Sequence, residues 1–510
     1  MTAADPARAN GIHGQVRAVL TRAIDVYADR PDISARLAAH LERLEGPIRI
    51  AIAGKVKAGK STLLNALVGE IIAPTDAGEC TKIVTWYRDD VSPRITLAPH
   101  KGEPRELPIV RLDGKLQIDL QGMLPEEVDR LTVDWPSRDL AAMTLIDTPG
   151  IASVSAEVSA RTVAFLTPES GPGESQQGAA DAIVYLMRHV HADDVHFLES
   201  FHDQAALGST PVNTVAVLSR ADEIGAGRVD ALLSARKIAR RLRTDDKIRA
   251  LCQTVVPVAG LLAETGRTLR QAEFGALAAL AAGPRDYVDG MLLSADRFTR
   301  EVPAEGVPDG AAGLPSAEVR AALVARLGMF GIRIALPLIR QGSSDAPALA
   351  LELVRRSGLG ELKEVLAALF TERAELLKAR SALVALDAVL REAPVDRGEA
   401  LLSDVERIMS GAHEFVELGL LGSLRAGAVA LPREQVIEAE RLLGSLGQAP
   451  HVRLGLEPDA SSAELRTAAL TAMGVWRRRA ENPLSVRALA EAARVVVRTC
   501  EGLIAALSAS

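Results

Sequence analysis

The positions of apolar residues divide the chain into two regions with different periodicity. Residues 47–265 contain short, continuous apolar runs, separated by stretches with helical spacing. Runs of this kind are typical of parallel strands that are covered on both faces. The strand candidates are residues 47–53, 83–88, 94–97, 143–146, 182–187, 214–218 and 254–258. This alternation predicts an α/β domain with a doubly wound, mostly parallel sheet.

The rest of the chain has the spacing of amphipathic helices. Residues 12–44 carry apolar side chains three or four positions apart. After a helical stretch at 268–300, residues 301–315 are rich in Pro, Gly and Ala and resemble a linker. Helical patterns follow at 316–340, 345–392, 398–421, 432–446 and 460–507. We therefore predict N-terminal helices at 1–46, the α/β domain at 47–300 and an all-α helical bundle at 301–510.

The composition argues against several classes of protein. The chain has 510 residues and is 48% hydrophobic and 25% charged, as folded proteins are. Its net charge of −7 gives no sign of a basic domain, so we expect no nucleic-acid partner. Cys80, Cys252 and Cys500 are far apart, which argues against a zinc site or a disulfide framework. Without a signal-peptide pattern or an uncharged apolar run of about 18 residues, we expect a cytoplasmic location.

Residues 54–61 read Gly-Lys-Val-Lys-Ala-Gly-Lys-Ser, which fits the phosphate-binding loop pattern. An apolar strand candidate precedes the loop and a helical pattern follows it, which is the context that the motif requires. Successive N–H groups would face phosphate, Lys60 would reach the β- and γ-phosphates, and the Ser61 hydroxyl would bind Mg²⁺. The predicted phosphate-binding residues are Gly54, Lys57, Ala58, Gly59, Lys60, Ser61 and Thr62.

Residues 145–150 read Leu-Ile-Asp-Thr-Pro-Gly, at the end of an apolar strand candidate. Downstream of a phosphate-binding loop, this pattern predicts that Asp147 holds Mg²⁺ through a water. The Gly150 N–H would bond the γ-phosphate and so report its presence. The alternative is a simple turn, since Asp-Thr-Pro-Gly is a good turn sequence.

The base would be selected at a later strand end, where residues 219–222 read Ser-Arg-Ala-Asp. A carboxylate at Asp222 would accept from the N1–H and N2–H₂ groups of guanine, a donor pair that adenine lacks. The usual motif has Asn or Thr followed by Lys, so Ser219 and Arg220 are departures from it. Arg220 can cover the base as Lys does. An Asp222 that merely caps the next helix is the alternative.

Two further contacts are predicted from order along the chain. Thr81, just before a strand candidate, would bind Mg²⁺ and the γ-phosphate from the first switch loop, with Thr75 as the competitor. Ala259 follows the last strand candidate and would touch the base. The predicted catalytic residues are Lys60, Thr81 and Lys57, and the predicted Mg²⁺ ligands are Ser61, Thr81 and Asp147.

These motifs, in this order and with a long helical region after them, resemble dynamin-like GTPases. Residues 72–77, 83–86, 219–225 and 328–333 resemble the isoniazid-inducible GTPases of the IniA and IniC type in mycobacteria. The resemblance implies a GTPase domain with a helical neck and trunk, and hydrolysis of GTP to GDP with Mg²⁺. It also implies peripheral binding and remodelling of lipid at the inner face of the plasma membrane. GTPase domains would pair in a homodimer or homo-oligomer, and a sister dynamin-like GTPase is a further candidate partner.

Two positions depart from the pattern of related GTPases. Val56 and Lys57 stand where eukaryotic dynamins have Gln-Ser, which positions water and a cation. We hypothesise that Lys57 supplies positive charge near the β/γ bridge, as an arginine finger does elsewhere. Ile151 follows Gly150, so no Gln stands there to orient water. Slow hydrolysis that rises with self-association is therefore expected.

The sequence allows two interpretations of each candidate membrane contact and more than one class of function. Residues 418–431 are apolar and glycine-rich, which fits either a membrane-contacting trunk tip or a packed helical connection. Trp476 with the following arginines fits either a lipid contact or a solvated helix end. Residues 330–337 fit helix-packing core better than a membrane contact. There are two alternatives to a membrane-remodelling GTPase. One is a regulatory switch that binds a protein or ribosomal partner, and the other is an ATPase.

Overall fold

The computed structural model describes most of the chain. The described residues are 11–74, 83–112, 114–149, 180–188, 195, 198, 211–225, 227–301 and 313–509. Of the predicted site residues, Thr81 and its competitor Thr75 lie outside this part of the chain, as does Gly150.

A mixed sheet of nine strands forms the centre of the α/β domain, with the strand order β11-β10-β9-β1-β8-β2-β7-β3-β4. A separate two-stranded ribbon pairs β5 with β6. The strands are β1 (Ile48–Gly54), β2 (Thr85–Asp89), β3 (Arg94–Pro99), β4 (Arg105–Leu107), β5 (Val110–Leu112), β6 (Lys115–Gln117), β7 (Val128–Trp135), β8 (Met143–Asp147), β9 (Ala182–Met187), β10 (Thr214–Leu218) and β11 (Val255–Pro257).

Strand β1 lies at the middle of a parallel half-sheet. It pairs in parallel with β8 on one side and β9 on the other, and β10 and β11 continue the parallel set. Its side chains are buried on both faces, as the continuous apolar run predicted. The carboxyl ends of these strands therefore meet at one edge, where ligands of doubly wound sheets bind.

The other half of the sheet is mostly antiparallel. Strand β2 is antiparallel to β8 although parallel to β7, and β3 is antiparallel to both β7 and β4. The sequence analysis did not identify β7. Its side chains include charged residues, one of which, Asp134, is 1% exposed and paired with Arg88 and Arg94. The charges interrupt the apolar run by which the other strands were recognised.

Helices flank the sheet and form the rest of the described chain. They are α1 (Ile12–Val26), α2 (Pro31–Glu45), α3 (Lys60–Val68), α4 (Ala231–Leu242), α5 (Asp246–Leu251), α6 (Gly260–Thr268), α7 (Gln271–Ala282), α8 (Arg285–Met291), α9 (Ala295–Thr299), α10 (Ala317–Arg340), α11 (Ala346–Ser357), α12 (Leu359–Leu366), α13 (Ala374–Glu392), α14 (Gly398–Gly411), α15 (His413–Arg425), α16 (Arg433–Leu442), α17 (Pro450–Leu454), α18 (Ser462–Glu481) and α19 (Arg487–Ala509).

The N-terminal helices pack on the helical region rather than standing alone. Helices α1 and α2 share an apolar core with α13 and α14. The Lys378 ammonium donates to the carbonyls of Leu44 and Gly46 at 2.7 Å each, and the Tyr27 hydroxyl donates to Ala393 at 2.6 Å. Sequence positions far apart thus form one bundle next to the sheet.

The C-terminal helices fold back onto the α/β domain. Helices α15, α16, α18 and α19 enclose Trp476, which is fully buried with the Arg479 guanidinium 4.3 Å from its ring centre. The expectation of a Trp476 lipid contact is wrong for this reason, whereas Arg477 and Arg478 are exposed near the end of α18, as expected of a solvated helix end. Arg425 donates to the carbonyls of Gln253 at 2.7 Å and Cys252 at 3.1 Å.

Residues 418–431 form a packed connection in this structure, the second of the two alternatives. The first eight belong to α15, and the side chains of Leu418, Leu421 and Leu424 are buried in the C-terminal core. An apolar segment enclosed in this way presents little apolar surface to a bilayer.

One helix of the described chain is long and apolar enough to cross a membrane. This helix is α10, with a mean hydropathy of 1.8 over the window that qualifies. Of that window, 44% is buried inside the protein. Non-helical angles at Gly328 (φ 65°, ψ 169°) break α10, and Phe330, Ile332 and Leu336 lie in an apolar core with residues of α6 and α7. The prediction that residues 330–337 form helix-packing core is confirmed.

Candidate nucleotide-binding site

The phosphate-binding loop follows the end of β1 and has the backbone geometry of its motif. A β-carbon on Gly54 would lie 2.6 Å from the Leu186 carbonyl oxygen on β9, so only glycine fits there. Lys57 and Gly59 have left-handed φ angles of 62° and 96°. Among the described residues, no side chain caps the N-terminus of α3. The first N–H groups of that helix can therefore face an anion.

Lys60 is folded over this loop. Its ammonium donates to the carbonyls of Gly54 at 3.2 Å and Lys55 at 3.4 Å. Burial lowers the pKa of Lys60, and the nearby Asp147 carboxylate acts in the opposite direction. A cation held at the loop in this way is placed to meet a phosphate chain.

Ser61 and Asp147 form an oxygen-rich pair beside the loop. Parallel pairing of β1 with β8 brings the end of β8 here, and the Ser61 hydroxyl donates to Asp147 Oδ2 at 3.2 Å. The other carboxyl oxygen of Asp147 is buried without a hydrogen-bond partner in the described chain. Burial raises the Asp147 pKa to about 6, although Lys60 and Ser61 lower it. A hydroxyl beside an unsatisfied carboxylate oxygen fits Mg²⁺, which prefers oxygen ligands.

Thr148 fixes the chain as it leaves β8. Its N–H donates to the Ile52 carbonyl at 3.3 Å, and its hydroxyl donates to the same oxygen at 3.0 Å. These bonds tie the chain after β8 to β1.

The Ser-Arg-Ala-Asp segment lies at the end of β10, two strands from β1. The N–H and the hydroxyl of Ser219 both donate to the Met187 carbonyl, at 2.8 Å and 3.2 Å. Arg220, with φ 52°, donates to the Lys57 carbonyl at 2.8 Å and to Glu223 at 2.6 Å. Arg220 therefore joins the base motif to the phosphate-binding loop.

Asp222 faces a cavity that reaches the phosphate-binding loop. Asp222 is only 7% exposed, and this burial raises the pKa of its carboxyl group. The cavity is lined by Ala58, Gly59, Thr62, Leu63, Leu186, Val217, Ser219, Arg220, Asp222, Glu223, Val258, Gly260 and Leu261. The structure thus brings together the phosphate and base motifs that the sequence analysis had identified separately.

Ala259, which was predicted to touch the base, does not line this cavity. It is fully buried, and its N–H donates to the Ser357 carbonyl of α11 at 2.9 Å. Val258, Gly260 and Leu261 line the cavity instead. The loop that was predicted to touch the base therefore lines the cavity, although Ala259 itself does not.

Asn65 and Glu264 support the site and were not identified from the sequence. The Asn65 amide accepts from the N–H groups of Ile72 at 3.0 Å and Ala73 at 2.8 Å. It donates to the Ala73 carbonyl at 3.2 Å and to Glu264 at 2.9 Å. One side chain of α3 therefore fixes both the segment that leads toward residue 74 and the helix that follows the base loop.

The comparisons with known proteins agree with this geometry. Residues 50–192 match the model of the Dynamin family. The isoniazid-induced protein IniC of Mycobacterium tuberculosis is 40% identical over 501 residues, which is 97% of this chain and 99% of that protein. A bacterial dynamin-like protein of Nostoc punctiforme is 30% identical over 119 residues, 21% of this chain and 17% of that protein.

A solved structure of an oligomerised bacterial dynamin pair, described as sensing and tethering membranes, aligns with 100% of this chain and 76% of its own. The identity of the two chains is 13% and the TM-score is 0.36. The family is shown by the relative that covers almost the whole chain, together with the matched family model. This chain is a member of the bacterial dynamin-like GTPase family, in the branch of the isoniazid-induced protein IniC.

Proposed function

We propose that this GTPase binds GTP with Mg²⁺ and couples hydrolysis to remodelling of lipid at the inner face of the plasma membrane. The observation that supports the nucleotide assignment is the single cavity that extends from Gly59 to the buried Asp222. Family membership supports the link to membranes. The nucleotide and the membrane parts of the proposal are tested separately.

In this proposal the loop of residues 54–61 binds the phosphates through its N–H groups, and Lys60 leaves its two carbonyl partners to meet them. Ser61 and Asp147 hold Mg²⁺, which neutralises charge on the phosphate oxygens. Thr81 and Gly150 complete the γ-phosphate contacts, as the family pattern implies. Their own positions lie outside the described residues.

Asp222 reads the base by accepting hydrogen bonds from guanine. Adenine would leave this buried carboxylate unpaired, which costs affinity. Exchange of Asp222 for Asn should shift the preference toward xanthine nucleotides, because the new amide can donate where the carboxylate accepted. Competition of GTP and XTP for binding measures the shift. An unchanged preference would support the ATPase alternative or another base contact.

Lys57 is proposed to stabilise charge during hydrolysis. Lys57 is exposed, and the preceding residue, Val56, is 49% exposed. Within the described part of the chain, Lys57 makes no ion pair. An exposed cation beside the nucleotide is accessible to a second GTPase domain, which supports pairing of these domains in a homodimer or homo-oligomer.

Association with membranes separates the mechanical function from a regulatory switch. Co-sedimentation with anionic liposomes, with and without GTP, should bring the protein down with the lipid. A protein that stays in the supernatant under all conditions would favour the switch. Membrane contact through residues 418–431 requires α15 to leave its packed position, so Arg425→Ala should then raise the bound fraction.

A further inference from the structure

The base-reading loop is held by a helix that lies outside the predicted boundary of the GTPase domain. This helix is α10, which begins at residue 317. It meets the loop at two points, the break at Gly328 and the side chain of Arg333. The first contact is made by backbone and the second by a side chain.

The first contact lies at the break in α10. A β-carbon built on Gly328 would lie 4.0 Å from Oδ2 of Asp222 and 3.6 Å from Cδ1 of Leu261, both of which line the nucleotide cavity. The φ angle of 65° with ψ 169° is one that residues other than glycine rarely adopt. The break thus places bare backbone next to the carboxylate that reads the base.

The second contact lies five residues further along α10. The Arg333 guanidinium donates to the Gly227 carbonyl at 2.7 Å through Nη1. Its Nη2 donates to Leu292 at 2.7 Å, and Nε donates to the same oxygen at 3.1 Å. One charged fork therefore joins the loop after Asp222 to the segment between α8 and α9.

Gly227, which accepts from Arg333, also lies next to the backbone of Asp222. A β-carbon on Gly227 would lie 3.5 Å from the Asp222 carbonyl oxygen and 3.9 Å from Cβ of Phe330. Phe330 is 2% exposed, in a core that also contains Ala259 and Leu262 from the other base loop. Both loops that flank the base therefore rest on the same stretch of α10.

We propose that Gly328 and Arg333 are positioning residues for guanine recognition, so that the helical region sets how well the GTPase domain distinguishes guanine. The proposal rests on the assignment of Asp222 as the base-reading residue. Because coupling between two sites is reciprocal, a helical region that shifts α10 would change nucleotide affinity, and bound nucleotide would favour one position of α10.

The test compares GTP with ITP, which lacks the 2-amino group of guanine. The ratio of kcat/KM for the two nucleotides reports the placement of the Asp222 carboxylate. In Arg333→Ala this ratio should fall by about five- to tenfold, which is the size expected when the one hydrogen bond between the 2-amino group and Asp222 is lost. KM for GTP should rise while kcat at saturation stays within about twofold, since the phosphate contacts are unaltered.

Two further variants separate positioning from general stability. Arg333→Lys keeps the charge but loses the fork, and its ratio should lie between those of the parent and Arg333→Ala. Arg340→Ala is the matched control, because Arg340 lies on the same helix and donates to the Ala281 carbonyl instead. It should lower the melting temperature without changing the GTP/ITP ratio.

The outcomes distinguish this inference from the nucleotide assignment. A folded Arg333→Lys or Arg333→Ala that keeps the parent ratio overturns the role of α10 while leaving guanine recognition intact. A parent protein that does not distinguish GTP from ITP or ATP overturns both. A ratio that falls in the Arg333 variants and not in Arg340→Ala supports the inference.

Discussion

Replacement of Asn65 by Ala should strongly destabilise the α/β domain. Asn65 is fully buried and makes four hydrogen bonds, two of them with backbone N–H groups. The Ala variant leaves the Ala73 N–H and the Glu264 carboxyl without these partners, whereas the Ile72 N–H keeps the Glu70 carbonyl at 3.1 Å. At about 1–3 kcal/mol for each buried group left unsatisfied, and with partial relief by water, the loss is about 2–4 kcal/mol. That is a large part of the roughly 5–15 kcal/mol that stabilises a typical domain.

Urea unfolding followed by tryptophan fluorescence measures this loss. Trp86 and Trp135 lie in the sheet and report on the α/β domain, whereas Trp476 reports on the C-terminal helices. The control is Glu264→Gln, which keeps an oxygen acceptor for Asn65. Burial raises the Glu264 pKa, so a neutral side chain there should cost less than about 1 kcal/mol. If Asn65→Ala unfolds within about 0.5 kcal/mol of the parent, the role assigned to this amide is wrong.

Three other predictions concern the chemistry at the nucleotide. Lys57→Ala should lower kcat for GTP by at least about tenfold and leave GTP affinity nearly intact, measured by turnover and nucleotide titration; unchanged turnover would contradict the role of Lys57. Specific activity should rise with protein concentration, since hydrolysis is expected to need pairing of GTPase domains; a constant value between low and high concentration would argue against pairing. Mg²⁺ affinity of the GTP-bound protein should fall about tenfold per pH unit below pH 6 and level off above it, because the Asp147 pKa is raised to about 6 and Mg²⁺ must displace that proton. Isothermal titration of Mg²⁺ at several pH values measures the slope, and Asp147→Asn should reduce it to the part that comes from protonation of the terminal phosphate of GTP.

Much of the α/β domain could be predicted because its signals are local. The apolar runs predicted β1, β3 and β8 to β11 to within two residues at each end, and the glycine-rich loop is recognisable in eight consecutive residues. Parallel pairing then brings the ends of β1 and β8 together without any further information. The Ser61 contact with Asp147 follows from that pairing.

The features that could not be predicted depend on contacts between distant positions. Asn65 and Glu264 are 199 positions apart, and neither belongs to a pattern that marks a site. The contact of Arg333 with Gly227 spans 106 positions. The arginines after Trp476 suggested either a lipid contact or a solvated helix end, yet Arg479 covers the Trp476 ring inside the C-terminal core. Periodicity indicates which face of a helix is apolar, but it does not indicate which partner covers that face.

Electron microscopy of anionic liposomes tests the coupling of GTP hydrolysis to membranes most directly. The parent protein with GTP should change vesicle shape, and the same protein with a non-hydrolysable GTP analogue should bind without completing that change. Lys60→Ala removes the cation held at the phosphate-binding loop. Vesicles incubated with this variant and GTP should have the same shape as vesicles without protein. Vesicles that look the same with parent protein and GTP, with the analogue and with Lys60→Ala would contradict the proposal that this GTPase works on membranes.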